Sequence, residues 1–262
     1  MKAMAPLPVD IRLMNKVSAL LLTLCVLVCL ASGLWWMLRH PVFALKLITV
    51  EGEVSRNNAL TLKTNVVPQL NGNFFTLDLA QTRQVFETVP WVRSAVIRRE
   101  FPNRLRVQLH EQHPVALWGE EGGSTLLNEQ GQVFEANLGE VEADALPRLK
   151  GPVSQSQQVL GMYRILLPVL EAVDMGVDEL ELSPRGSWKV TTSQGVPIEL
   201  GRGQPQELTA LLQDFLRTLP QITSRYGRTP KSLAGADLRH KDGYALRLVG
   251  VTTTEGDPRK KP

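Results

Sequence analysis

The sequence predicts an α+β protein: a single N-terminal transmembrane helix, a small β-α-α-β-β domain, and a larger β-rich domain with flanking helices. Three observations predict it. The stretch Val17–Leu38 carries no charge and is too long and apolar for a soluble domain. Near Trp91 the hydrophobic period changes from helical spacing to two-residue alternation. Beyond Pro114, short β-rich runs dominate, with two amphipathic helical patterns among them.

The first element is "VSALLLTLCVLVCLASGLWWML", bracketed by Lys16 and Arg39. At helical rise its 22 residues reach about 33 Å, against a hydrocarbon core of roughly 30 Å. Trp35 and Trp36 stand near its end, where an interfacial aromatic belt is expected. Ala31-Ser32-Gly33 offers small residues for signal cleavage. The apolar run, however, exceeds the roughly 7–15 residues of a signal core and continues past that site, which favours an uncleaved anchor. Residues 1–16 form a short tail. Lys2, Arg12 and Lys16 outweigh Asp10 there, a bias towards a cytoplasmic N-terminus.

The first folded domain is expected over residues 45–115. "LKLITV" (Leu45–Val50) reads as a strand ended by Glu51-Gly52. A helix is predicted around Asn57–Leu70, with Leu60, Val67 and Leu70 on its buried face. A second follows, with Leu79, Val85, Phe86 and Val89 at helical spacing and Asp78 at its first turn. "WVRSAVIRRE" is β-rich, and "FPN" (Phe101–Asn103) is turn chemistry. In "RLRVQLHE", Leu105, Val107 and Leu109 face one way, and Arg104, Arg106, Gln108 and His110 the other. That is a strand with one dry and one wet face.

The β-rich domain is expected over residues 116–250. "TLLNEQGQVF" predicts a hairpin about Gly131. A helix carrying Val159, Met162 or Tyr163, Leu166, Leu170 and Val173 should be kinked or divided at Pro168. "LELSP", "WKVTT" and "VPIEL" read as strands. "PQELTALLQDFLRTLP" reads as a short helix, with Leu208, Leu211, Leu212, Phe215 and Leu219 on its face and Pro220 at its exit. The domain closes on "ADLRHKDGYALRLVG", a hairpin whose tight turn is Asp242-Gly243. Residues 251–262 have too little apolar content to fold.

Composition excludes several classes. The net charge of +3 gives no case for nucleic acid. Cys25 and Cys29 both lie in the apolar span, so the remainder supports no disulfide or thiolate zinc site. Gly201-Arg202-Gly203 is followed by Gln204-Pro205-Gln206 and fails the dinucleotide pattern. His110 and His113 have the wrong spacing for a helical zinc pair. Arg93, Arg98, Arg99, Arg104 and Arg106 are expected to form a solvated face. No catalytic, cofactor-binding or metal site is expected.

The chain resembles the bacterial cell-division FtsQ/DivIB family over nearly its whole length. In the first domain the resemblance rests on Val50-Glu51-Gly52, Pro90-Trp91-Val92, Phe101-Pro102-Asn103 and "PVALW" (Pro114–Trp118), which look like the family's POTRA module and its exit. In the second it rests on Ser187-Trp188, "LGRG" (Leu200–Gly203) and "DLR" (Asp237–Arg239), with Gly243 and Ala245. His240 stands where the family usually has an aromatic residue, and Leu248 where it often has tryptophan. The resemblance implies a non-enzymatic, bitopic inner-membrane scaffold with its bulk in the periplasm, at the division septum, recruiting FtsB and FtsL. It places partner binding on Arg239, His240, Asp242, Gly243, Tyr244, Ala245, Leu246, Arg247 and Leu248. Other classes that fit parts of the chain are a membrane-tethered enzyme, a secreted binding protein and a POTRA-bearing barrel transporter, the last lacking enough lipid-facing strands.

The closing hairpin carries the sharpest expectation. Its strand, Tyr244–Val249, could lie at a sheet edge, open to a partner strand or covered by the tail. Tyr244, Leu246 and Leu248 point one way and Ala245, Arg247 and Val249 the other.

Overall fold

The computed structural model describes residues 9–52, 59–240 and 243–251. Asp242 and the terminal segment 252–262 lie outside the described residues, and so do the expectations placed on them. Two compact units divide the chain, residues 1–111 and 112–262.

In the first unit, helix α1 (Val9–Leu38) contains the apolar span Leu13–Leu38, of mean hydropathy 2.5 and with none of it buried. Strand β1 (Leu47–Gly52), helices α2 (Ala59–Val66) and α3 (Leu79–Glu87), and strands β2 (Val92–Glu100) and β3 (Arg104–Glu111) follow in the predicted order. The sheet order is β1-β3-β2, with β1 parallel and β2 antiparallel to β3. Its core is the predicted dry face of β3: Leu105, Val107 and Leu109 are all fully buried, against Leu62, Val66 and Phe86. Asp78 does more than lend charge. It caps α3, its Oδ1 accepting from the amides of Ala80 (2.8 Å) and Gln81 (3.1 Å). The predicted face of α2 needs correction. Leu62 and Val66 are buried, whereas Val67 is exposed, because the α-helix stops at Val66 and a 3-10 turn rotates Val67 outward.

Two backbone positions bind the sequence to this fold. Gly52 has φ +102°, and a Cβ there would stand 2.3 Å from the backbone carbonyl oxygen of Leu109. Gly52→Ala is therefore expected to cost about 1–3 kcal/mol, from strain and a shifted β1–β3 pairing; an unchanged chemical-denaturation midpoint would contradict this. At Trp91 the chain takes φ +70°. Val92 donates to the Val89 carbonyl (3.1 Å), with Pro90 second in the turn. Trp91 thus occupies the third position of a type II pattern, which normally demands glycine.

Among the described residues the second unit is one nine-stranded sheet with two α-helices on it. Its strands are β4 (Pro114–Trp118), β5 (Thr125–Asn128), β6 (Val133–Glu135), β7 (Arg148–Lys150), β8 (Val177–Leu182), β9 (Trp188–Thr192), β10 (Pro197–Gly201), β11 (Leu233–Asp237) and β12 (Ala245–Leu248). Their spatial order is β12-β11-β10-β9-β8-β7-β4-β5-β6. The β5–β6 hairpin turns at Gly131, as expected; Asn128 Oδ1 accepts from the amides of Gln130 and Gln132.

Helix α4 (Ser156–Glu171) lies against β7 and β8, and α5 (Pro205–Arg225) against β10. The two prolines leave their helices unbroken. Pro168 does not divide α4, which runs on to Glu171, and Val173 beyond its end is exposed. Pro220 does not end α5. The helix continues to Arg225, because Leu219 and Thr223 are buried beneath it and the Thr223 hydroxyl donates to the Leu219 carbonyl (3.0 Å). Burial outweighs the one amide that proline removes. The core joins Leu166 and Leu170 of α4 and Leu212 and Phe215 of α5 to Leu180, Val190 and Ile198 of the sheet.

Candidate partner-binding edge and basic cleft

The site begins with the order of strands. β10 and β11 run parallel, and β9 runs antiparallel to β10. The start of β9 and the ends of β10 and β11 therefore meet at one end of the sheet. That brings Ser187, the Leu200–Arg202 segment and the Leu238–Arg239 segment around a single cleft of about 660 Å³. Arg185, Glu207 and His240 complete its polar wall. The motifs of the second domain, separate in sequence, line one surface.

The cleft is basic. Arg185 and Arg202 are exposed and have no ion-pair partner among the described residues. The carboxylate of Glu207 is engaged, accepting from the Gln204 amide at the start of α5 (3.0 Å). Arg239 is held in a fork: its Nε donates to Asp237 Oδ1 (2.8 Å) and its Nη2 to Asp237 Oδ2 (2.6 Å). Gly201, at φ +85°, makes room for it, since a Cβ there would lie 2.9 Å from Arg239 Cγ. Hydrogen bonds from Arg239 pull the Asp237 carboxyl down to about 2. A lowered value means that the pair's stabilising contribution is complete above the ordinary aspartate value of about 3.9 and is lost as pH falls through about 2. A titration of the Asp237 side-chain carbonyl by NMR is expected to give that depressed midpoint; an ordinary value would mean an open fork.

The hairpin itself is not the tight one expected. Seven residues, Leu238–Tyr244, separate β11 from β12. The Leu238 amide donates to the Glu199 carbonyl of β10 (2.8 Å), so the chain stays committed to β10 beyond the last β11–β12 pair, Asp237↔Ala245. The predicted site residues divide by role. Arg239 and His240 line the cleft. Tyr244 packs edge-to-face on Phe215 (5.2 Å) and its hydroxyl meets that of Thr218. Leu246 and Leu248 join the core, while Ala245 and Arg247 are exposed on the other face. Arg247 donates to the Ala234 carbonyl (3.1 Å). Gly243 is exposed just before β12.

β12 is the end strand, and no described strand pairs with its outer side. Which amides face out follows from two observed bonds. Val249 donates to the Ser232 carbonyl on the β11 side (2.9 Å). Leu238 donates to β10, so by alternation Asp237 and Gly235 bond to β12. Both place the Arg247 and Ala245 amides against β11, and the Leu246 and Leu248 amides on the open edge. The residues that sequence reasoning missed are Ser183, Arg185 and Glu207, while Arg202 stood inside the Leu200–Gly203 motif without a binding role assigned to it. The only signal was their adjacency to Trp188 and to the Gly201–Gly203 turn. Among the described residues no group of three or more His, Cys, Asp or Glu side chains could hold a metal.

The architecture has counterparts among known proteins. Residues 43–112 match the family description "POTRA domain, FtsQ-type", and residues 116–239 match "Cell division protein FtsQ/DivIB, C-terminal". With the apolar span of α1, these features define a class: a membrane-anchored cell-division protein carrying a POTRA domain and an open mixed sheet. Proteins named "Cell division protein FtsQ" from Thiomonas arsenitoxydans and Burkholderia pseudomallei are 40% and 37% identical to it. The alignments cover 96% of this chain in each case, and 93% and 99% of the relatives. A third, from Bordetella pertussis, is 37% identical over 92% of both chains. The chain belongs to the FtsQ family of bacterial cell division proteins.

Proposed function

We propose that this chain is a non-enzymatic scaffold of the division machinery that captures FtsB, and with it FtsL, by strand addition to β12. The carrying observation is the outward-facing Leu246 and Leu248 amides beside a basic cleft. An extended partner segment would hydrogen-bond to the edge and set alternate side chains into pockets. Charge complementarity calls for acidic residues in the part of that segment that reaches Arg185 and Arg202. In this reading α1 crosses the inner membrane with its N-terminus in the cytoplasm, and residues after Arg39 stand in the periplasm at the septum. Residues 45–115 and 116–250 are the working domains, and 251–262 a tail.

Photocrosslinking tests the reading. A benzophenone amino acid replaces exposed Arg247 on β12, or exposed Glu135 on β6 at the opposite end of the sheet. In cells expressing the full chain, FtsB is expected to crosslink to position 247 and not to 135. FtsB crosslinks confined to position 135 would move the site to the other edge.

A further inference from the structure

The membrane-proximal end of the first unit carries an aromatic surface that partner capture at β12 leaves unexplained. Phe43, Phe74, Phe75 and Phe101 form a chain of edge-to-face contacts: Phe43 to Phe75 at 4.8 Å, Phe75 to Phe74 at 5.2 Å, and Phe74 to Phe101 at 6.0 Å. Phe74 is buried, but Phe75 is 42% and Phe101 74% exposed, and Val42 beside them is 55% exposed. Large side chains spending this much apolar area on water mark an interaction surface.

Its position is fixed by the end of the membrane helix. The Asn73 side chain donates to the carbonyl of Leu38, the last residue of α1, at 2.6 Å. That carbonyl has no partner within the helix, and a side chain from the folded domain satisfies it. Asn73 is itself held rigidly, its Oδ1 accepting from the amides of Phe75 and Thr76, both at 3.0 Å. The Phe74 amide donates to the Phe43 carbonyl (2.9 Å). The loop bearing Phe74 and Phe75 is thus tied at two points to the chain leaving the bilayer. Trp35 and Trp36 lie just before that exit, and Arg39 stacks on Trp35 at 4.2 Å. The headgroup layer extends roughly 5–8 Å beyond the hydrocarbon on each side, so a loop bonded to Leu38 lies at its depth.

Charge completes the pattern. The Lys46 amide donates to the Asn103 carbonyl (3.0 Å), and Leu47 pairs with Arg104. Lys46 and Arg104 therefore flank the turn that carries Phe101. Both are exposed and have no ion-pair partner among the described residues. Aromatic rings at the apolar boundary with cations just above them are the arrangement that binds a phospholipid surface.

We infer that Val42, Phe75 and Phe101 insert into the headgroup layer of the bilayer that holds α1, with Lys46 and Arg104 on lipid phosphates, so that the POTRA domain is seated on the membrane. This rests on α1 being the membrane anchor, and the test separates the two. The full-length chain, with Cys25→Ser and Cys29→Ser, carries one nitroxide at a time through Leu34→Cys, Phe75→Cys, Phe101→Cys or Arg93→Cys. Arg93 is eight residues before Phe101, at the far end of β2 and about 26 Å away at strand rise. In nanodiscs of phosphatidylethanolamine and phosphatidylglycerol, collision with oxygen and with a water-soluble nickel chelate reports depth. Labels at 75 and 101 are expected to lose most of the nickel accessibility seen at 93 while keeping oxygen accessibility. Lys46→Gln with Arg104→Gln, or neutral phosphatidylcholine, is expected to restore part of it. A label at 34 in lipid, with 75 and 101 as nickel-accessible as 93, overturns the seating alone. Shielding of 75 and 101 from both reagents means a protein surface covers them and also overturns it. A nickel-accessible label at 34 overturns the anchor and the seating together.

Discussion

Leu246→Pro is expected to abolish capture of FtsB by the full-length chain while the second unit stays folded. The reason lies in the parity of β12. The Leu246 amide faces the open edge, so proline there removes a donor offered to the partner and leaves the bonds to β11 in place. Proline is tolerated on edge strands for the same reason. Arg247→Pro is the opposite case: it removes a bond to β11 and should loosen the hairpin. Leu246→Ala separates the side chain from the backbone, since it keeps the amide and loses only part of a half-buried contact. Strand addition predicts strong capture by Leu246→Ala and none by Leu246→Pro, with matching far-ultraviolet circular dichroism. Equal capture by both would show that the edge amide is not used.

Trp91→Ala is expected to carry the largest stability cost, about 3–5 kcal/mol for a buried large aromatic truncated to alanine. Only 3% of Trp91 is exposed, and its backbone stands at φ +70°, which costs an L residue roughly 1–2 kcal/mol. Burial of the indole has to outweigh that strain. Alanine loses the burial and keeps the strain, whereas glycine loses both. Trp91→Gly should therefore be no less stable than Trp91→Ala, an inversion of the usual alanine-over-glycine order. Urea denaturation of the two variants checks both statements; a midpoint unchanged from the parent in Trp91→Ala would remove the argument.

Elements with a strong local period were legible in the sequence. The alternation of β3 named its buried face residue by residue, and Asp78 marked the start of α3. The errors came where tertiary contacts override local chemistry. The closing segment reads as two strands about a tight turn, but Leu238 binds β10, so β11 ends at Asp237 and β12 starts only at Ala245. Pro220 signals a helix end, but a buried Leu219 and Thr223 carry α5 past it. The site was legible in its parts and not as a whole. Ser187-Trp188, Leu200–Gly203 and Asp237–Arg239 could each be picked out, but their convergence depends on strand order, which no short window contains. Arg185 was invisible for that reason, and Arg202, though inside Leu200–Gly203, could not be placed beside it.

The shortness of β12 has a consequence for how a partner strand would be held there. Leu246 offers an amide and a carbonyl to the edge, but Leu248 offers only its amide, because its carbonyl accepts from Val251 (3.3 Å). Three hydrogen bonds at about 1 kcal/mol each correspond by themselves to a dissociation constant of only about millimolar. Backbone pairing alone on an edge this short does not retain a freely diffusing strand. It can retain one whose own membrane anchor confines it beside α1, where effective concentration replaces intrinsic affinity. The helix that fixes the chain in the bilayer would then set the strength of an association made in a different unit of the chain.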